Sequence, residues 1–134
     1  MNQEDKELLL KDLCARLPYG VKCKLIYNNH SEDATLFGID KYAHFLFAEF
    51  GEDVRKFVCK PYLFPLSSMT EEQIEEAKTY FWKDVDYGKS LVDKGINCFY
   101  PCFNILEFYH KNHLDYRGLI PMGLAIDATG LNIY

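Results

Sequence analysis

The sequence predicts one α+β domain over residues 1–134: an N-terminal helix within residues 1–20, a β-sheet within 21–66 and a helical C-terminal part within 67–134. Three observations predict this class. Apolar residues recur at helical spacing near both ends, they alternate with polar residues in between, and short connections separate the alternating runs. The sheet is expected to be a four-stranded antiparallel meander or an SH3-like partial barrel, with the C-terminal helices packed on it.

The first helix is predicted over residues 4–17. Leu9, Leu13 and Leu17 recur at helical spacing and give it one apolar face. Acidic residues in its first turn suit the positive end of the helix dipole. Pro18 ends the helix, and the alternating pattern of the sheet begins a few residues later.

Four short strands are predicted to form the meander, with residues 28–31 as the turn after the first strand. Lys60 and Pro61 are predicted to end the sheet, because proline has no N–H to donate to a ladder. The four strands span residues 21–27, 35–39, 44–50 and 54–59.

Three helices are predicted after the sheet. Thr70 and Gln73 fit a capping box, in which each side chain accepts a hydrogen bond from the other residue's backbone N–H. The helix that they begin is predicted over residues 71–83. A short helix at 90–94 and a longer, largely buried one at 101–112 follow.

Composition and charge exclude several classes of function. Acidic side chains outnumber basic ones by 20 to 15, for a net charge of -5, which disfavours nucleic-acid binding through a basic stripe. No run approaches the roughly 20 apolar residues of a membrane span, so a cytoplasmic protein without membrane association is expected. The five cysteines cannot all pair internally and are expected to be reduced.

Metal and catalytic motifs provide weaker alternatives. Cys98, Cys102, His110 and His113 are side chains of the types that zinc favours. A helix would, however, separate Cys102 from His110 by about 12 Å at ~1.5 Å per residue, so no metal site and no cofactor is predicted. The sequence also lacks the signature motifs of nucleotide hydrolases, dinucleotide-dependent enzymes and metalloproteases. The enzymatic alternative is a small hydrolase or transferase with His110 or His113 as general base.

Two polar clusters contain the predicted ligand-binding residues. Tyr116 and Arg117 combine a ring, a hydroxyl and a planar donor fork suited to phosphate or carboxylate. Tyr62 and Lys60 belong to a run in which prolines fix the backbone, as suits a recognition edge. A structural alternative stays open for each cluster. In the first, Arg117 pairs with Asp115 or caps a helix end. In the second, the rings near Lys60 close one end of the sheet.

Three segments resemble the signature blocks of one family, a set of small uncharacterised proteins common in gut Bacteroides-type genomes and in their phages and prophages. The resemblance implies an accessory protein of a phage or mobile element, a setting in which small proteins often block a host factor or a signalling molecule and so act against host defence. It implies no catalytic residues. The three blocks are residues 8–21 (LLLKDLCARLPYGV), 60–72 (KPYLFPLSSMTEE) and 115–125 (DYRGLIPMGLA).

The predicted function is therefore that of a non-enzymatic binding protein. It acts by stoichiometric sequestration of a small molecule, for example a nucleotide signal, or by blockade of a host protein. A deep pocket with aromatic walls favours the small molecule, and a flat aromatic patch favours the host protein. A homodimer is also predicted, because residues 44–50 are apolar on both faces of their strand and both faces need cover. In the monomeric alternative, the helices that begin at Glu71 and Pro101 cover the second face.

Overall fold

The structure is a computed structural model that describes residues 2–41, 44–47, 58–80 and 100–134. The predicted α+β class is confirmed: an N-terminal helix, a mixed sheet and further helices make up this part of the chain. Several predicted features lie wholly or partly outside these residues, namely the helix at 90–94, the end of the helix at 71–83, the strands at 44–50 and 54–59, and Cys98.

The N-terminal helix, α1, spans Gln3–Arg16, within one residue of its predicted bounds. The side chain of Asn2 caps it by accepting a hydrogen bond from the backbone N–H of Asp5 at 2.7 Å. A 3₁₀ turn over Leu17–Tyr19 follows, and Gly20 then takes the left-handed conformation at φ 66°. This turn directs the chain from the helix into the sheet.

The centre of the described fold is one sheet of six strands: β1 Lys22–Tyr27, β2 His30–Ile39, β3 Phe45–Phe47, β4 Val58–Pro65, β5 Leu114–Asp115 and β6 Ile126–Asp127. In space the strands follow the order β3-β2-β1-β4-β5, and β6 also pairs with β4. The first four strands pair antiparallel, whereas β5 and β6 run parallel to β4. The sheet is therefore mixed.

The order of the strands differs from the predicted meander. β4 lies beside β1, with Leu25 opposite Cys59, whereas a meander would place it beside β3. β1 thus has a partner on each side. This position suits its buried face, on which Cys23 and Leu25 are fully covered, as is Val21 just before the strand.

The turn after β1 is shorter than predicted. Asn28 and Asn29 alone connect the paired residues Tyr27 and His30, so β2 begins at His30 instead of residue 35. Asn28 has φ 51°, a conformation that asparagine tolerates and that two-residue hairpins require.

The prediction that Lys60 and Pro61 end the sheet is wrong, because β4 runs through both residues. The pairing of β4 with β1 extends to Pro61, opposite Cys23, and the pairing with β6 begins one residue later, at Tyr62. Pro61 therefore precedes the first pair of the β6 ladder, and its lack of an N–H costs that ladder no hydrogen bond.

The hydroxyl of Tyr134 bridges β1 and β4 just beyond the last pair of their ladder. It accepts a hydrogen bond from the backbone N–H of Lys22 at 2.9 Å and donates one to the backbone carbonyl of Tyr62 at 2.8 Å. The ring of Tyr134 stacks on His113, with ring centroids 3.6 Å apart. One phenol thus replaces the direct bond that the next pair of residues would make.

Helix α1 packs on one face of the sheet. Leu9 and Leu13 are buried against the strand residues of this face, which confirms the predicted apolar stripe. The hydrophobic core also contains Leu36, Phe47, Cys59 and Leu63 from the strands, and Leu119, Leu124 and Ala125 from the segment between β5 and β6.

Two more helices are described. Helix α2 covers residues 71–80 and begins with the predicted capping box, since Gln73 N–H donates to Thr70 Oγ1 at 3.2 Å and Thr70 N–H donates to Gln73 Oε1 at 3.0 Å. Helix α3 spans Tyr100–Lys111, in close agreement with the predicted 101–112. Within the described ranges, no helix has both the length and the apolarity needed to cross a membrane.

Candidate functional site

A buried ion pair occupies the C-terminal half of α1. Asp12 and Arg16 are four residues apart, so they lie on the same side of the helix, and both side chains are 0% exposed. Arg16 Nε donates to Asp12 Oδ2 at 2.7 Å, and its Nη2 donates to Asp12 Oδ1 at 3.2 Å and to the backbone carbonyl of Leu114 at 2.7 Å. This pair attaches α1 to β5.

Arg117 brings a second guanidinium to the same carboxylate. Its Nε donates to Asp12 Oδ1 at 3.1 Å, and its side chain is 23% exposed. The alternative in which Arg117 pairs with Asp115 is wrong, because both carboxylate oxygens of Asp115 accept backbone N–H groups, at 2.8 and 2.9 Å. Gly118 is left-handed at φ 74°, but it follows a turn and does not cap a helix. Arg16 and Arg117 are called the arginine pair below.

The ring of Tyr116 lies beside the arginine pair. It stacks on Tyr109 with centroids 5.2 Å apart and an interplanar angle of 17°, and the guanidinium carbons of Arg16 and Arg117 lie 5.4 and 5.0 Å from its centroid. Its hydroxyl is 2.8 Å from Nε2 of His110. The ring is therefore engaged by protein groups and does not offer a free stacking surface.

Two histidines near this cluster are held neutral. Burial, and then the charge of Arg16, lowers the pKa of His110. The same two causes lower the pKa of His113 from 6.5 to about 4. At neutral pH the charges of the cluster are thus those of two guanidiniums and the single carboxylate of Asp12.

One buried donor of the cluster has no acceptor. Nη1 of Arg16 makes no hydrogen bond to any described residue, although the side chain is fully buried. An unpaired buried donor costs about 1–3 kcal/mol, and more when it is charged. An acceptor oxygen placed at Nη1 would remove this cost.

Lys60 and Tyr62 lie on the opposite face of the sheet, because side chains alternate along β4 and Leu63 points into the core with α1. The hydroxyl of Tyr62 donates to Oδ1 of Asp33 at 2.5 Å. Burial, and then Asp33, raises the pKa of Tyr62 to about 12. The four predicted ligand-binding residues thus form two separate pairs.

The described part of the chain also has a small groove. Its volume is about 210 Å³, below the roughly 300 Å³ at which pockets begin to enclose drug-sized ligands. Its polar groups bond to one another, since Gln73 Nε2 donates to Asn112 Oδ1 at 3.2 Å. It does not contain the predicted ligand-binding residues, and its lining is Phe64, Ser68, Thr70, Gln73, Asn112 and Leu114.

The described residues contain no further site built from metal-binding side chains or thiols. No group of three or more His, Cys, Asp and Glu side chains there could hold a metal ion. Cys14, Cys23 and Cys59 are free thiols, and a hydrogen bond with Cys59, together with burial, raises the pKa of Cys23. The side chain of Cys102 lies outside the described set.

Comparison with family models, curated proteins and solved structures finds no match to this chain. Because no relative indicates a function, the functional proposal below is based on the arginine pair. Sequence reasoning found Arg117 but missed Asp12 and Arg16. The signal for them was a pair of opposite charges four residues apart, interleaved with the apolar stripe of a helix.

Proposed function

We propose that this protein is a non-enzymatic binding protein that sequesters a small anionic ligand, one molecule per chain, at the arginine pair. The observation that carries the proposal is the unpaired Nη1 of the fully buried Arg16, beside a second guanidinium that reaches solvent. A phosphate or carboxylate group supplies the acceptor oxygen that this donor lacks.

The charge of the cluster supports an anion. Two guanidiniums share the single carboxylate of Asp12, so one positive charge is uncompensated within the cluster. Because Arg16 is fully buried, this charge acts in a medium of lower dielectric than water and attracts an anion more strongly there. Planar guanidinium donors also match the oxygens of phosphate and carboxylate in pairs.

Access to the site runs past Arg117. Its side chain is 23% exposed, whereas that of Arg16 is 0% exposed, so a ligand meets Arg117 first. Arg117 makes a single hydrogen bond to Asp12, so a ligand that displaces Arg117 from this carboxylate breaks one bond. Because the ring of Tyr116 is engaged, recognition falls on the anionic group of the ligand, and the Tyr116 hydroxyl is the polar group at the margin of the site.

The proposal keeps the role that the family resemblance implies. Sequestration of an anionic signalling molecule is a function suited to an accessory protein of a phage or mobile element. A homodimer and a cytoplasmic location belong to the same proposal. The rival function is a small hydrolase or transferase with His110 as general base, in which case the anionic group would be part of a substrate.

Isothermal titration with inorganic phosphate, pyrophosphate, a dicarboxylate and a set of nucleotides tests the proposal. One equivalent of an anion should bind at the arginine pair, and Arg117→Gln should weaken binding there at least about tenfold, the effect of one charge-assisted contact. Arg117→Lys keeps the charge and should give an intermediate affinity. Lys11→Gln, which removes an exposed charge from the same helix as Arg16, should leave binding unchanged.

Two results would contradict sequestration at this site. Unchanged binding in Arg117→Gln would remove the arginine pair from the site. Conversion of more than one equivalent of ligand per chain would show turnover and favour the enzyme.

A further inference from the structure

Three lysines meet on the face of the sheet opposite α1. The register of β1 and β4 places Lys24 directly opposite Lys60, and Lys22 lies two residues along β1 on the same face. All three are half-buried. We call Lys22, Lys24 and Lys60 the lysine face.

The positive charge of the lysine face is only partly compensated. None of its three ammonium groups forms an ion pair with a carboxylate of the described residues. Asp33 lies opposite Lys24 on β2, but its Oδ1 accepts the hydroxyl of Tyr62 at 2.5 Å. Like charges directly opposite each other destabilise a sheet. In a chain with a net charge of -5, this local excess of positive charge is a departure from the overall pattern.

We propose that the lysine face binds the phosphate group of a small molecule, at a site separate from the arginine pair. Directly opposite Cβ atoms are about 5 Å apart in a sheet, and residues two apart on one strand are separated by about 7 Å. The long, flexible side chains of Lys22, Lys24 and Lys60 can therefore converge on one phosphate. Lysine binds phosphate as a point charge with three donors and needs no fixed fork.

Tyr62 positions the charges of this site. Its side chain is 4% exposed, and its hydroxyl reaches from β4 past β1 to Asp33 on β2. This bond engages one oxygen of Asp33, the carboxylate that lies directly opposite Lys24. Lys24 thus lies between Asp33 on β2 and Lys60 on β4.

A small phosphate compound fits this face better than a nucleic-acid strand. Three lysines neutralise about one phosphate, whereas strand-binding grooves follow the backbone over roughly four or more nucleotides. The acidic net charge of the chain also repels a long polyanion.

Titration of pyrophosphate at constant ionic strength tests the proposal, with potassium chloride as the balancing salt. The measurement is made in wild type and in Arg117→Gln, in which binding at the arginine pair is weakened. The wild type should bind pyrophosphate at both sites, whereas binding by Arg117→Gln should be saturable and at least about tenfold weaker when Lys60→Gln or Lys24→Gln is added. Lys11→Gln should bind as the wild type does.

The stability of the unliganded variants provides a second measurement. Because Lys60→Gln removes a repulsion, its melting temperature in phosphate-free buffer should equal or exceed that of the wild type, while its stabilisation by pyrophosphate is lost. If Lys60→Gln does not fold, the role of this lysine is structural and the proposal fails.

Other results would also overturn the proposal. They are equal stabilisation by chloride at matched ionic strength, undiminished pyrophosphate binding in both lysine variants, and binding of a single-stranded oligonucleotide without any binding of pyrophosphate. A failure confined to Lys60→Gln and Lys24→Gln leaves the arginine pair untouched, and the two sites are thereby tested separately.

Discussion

Replacement of Asp12 by Asn tests the buried ion pair most directly. The change keeps the size of the side chain and removes its charge, so Arg16 is left as a buried cation that only neutral acceptors surround. Asp12 accepts three hydrogen bonds in the native protein, two from Arg16 and one from Arg117. An asparagine at this position has one oxygen to accept them, and its amide faces a guanidinium donor.

The expected loss is about 3 kcal/mol in the free energy of unfolding. Removal of one partner from a buried ion pair costs about 3–5 kcal/mol, and the remaining amide oxygen places this substitution at the lower end. Total stabilities of single domains are about 5–15 kcal/mol, so the loss is a large fraction of the whole. With a urea m value of about 2 kcal/mol/M, the unfolding midpoint should fall by about 1.5 M.

Urea unfolding followed by circular dichroism measures this shift. Glu107→Gln is the matched control, because it removes one carboxylate charge from an exposed position inside α3 and should change stability by less than about 0.5 kcal/mol. In a double-mutant cycle with Arg16→Met, the coupling energy should be at least about 1 kcal/mol. If Asp12→Asn unfolds at the wild-type midpoint, the buried pair does not stabilise the fold and the reasoning is refuted.

Three further predictions concern a cap, a bridge and a titration. Thr70→Ala should lower the free energy of unfolding by about 1 kcal/mol, because the N–H of Gln73 loses its acceptor. Tyr134→Phe should cost about 1–3 kcal/mol and speed amide exchange at Lys22, whose N–H is bonded to the removed hydroxyl. For His113, the folded pKa of about 4 lies below the ordinary 6.5, so the unfolded chain binds the extra proton between these values and stability falls as the pH is lowered through that window. His113→Asn, which tolerates the native φ of 55°, should make stability depend less on pH between 6.5 and 4.

Each of these predictions has a matched control. Thr79→Ala changes the same residue type away from the start of α2 and should have the smaller effect on stability. Tyr134→Leu removes the ring as well as the hydroxyl, and should be worse than Tyr134→Phe. His30→Asn, which removes an exposed histidine, is the comparison for His113→Asn. The assignment of the low pKa to His113 fails if both histidine variants change the pH dependence of stability equally.

The elements predicted correctly are those that depend on neighbouring residues. α1 follows from an apolar stripe, and α2 follows from a capping box that spans only Thr70 to Gln73. The strand order was not predictable in this way, because β1 and β4 are separated by β2 and β3 in the sequence. A turn-based argument joins consecutive strands and therefore gives a meander. Pro61 was misjudged for a related reason: the cost of its missing N–H depends on where β6 pairs.

Only part of the candidate site could be predicted, again because contacts between residues distant in the sequence leave no local pattern. Arg117 was identified because phosphate and carboxylate recognition calls for its donor fork, but its acceptor, Asp12, is 105 residues away. No local pattern links the two. The four predicted ligand-binding residues form two separate pairs because Lys60 and Tyr62 lie on the face of β4 that points away from α1. Packing decides which face of β4 meets α1, and a local sequence pattern does not show it.

The bridge made by Tyr134 has a consequence for the order of folding. Its hydroxyl joins residues that precede it by 112 and 72 positions, so this end of the β1–β4 ladder closes through contacts of long sequence separation. Such contacts form late, because the entropy of closing a long loop is lost before the contact compensates for it. During synthesis, β1 and β4 can pair as soon as both have left the ribosome, while their shared end stays open to water until residue 134 arrives. Pulse-labelled amide exchange should therefore show Lys22 protected after the centre of the β1–β4 ladder.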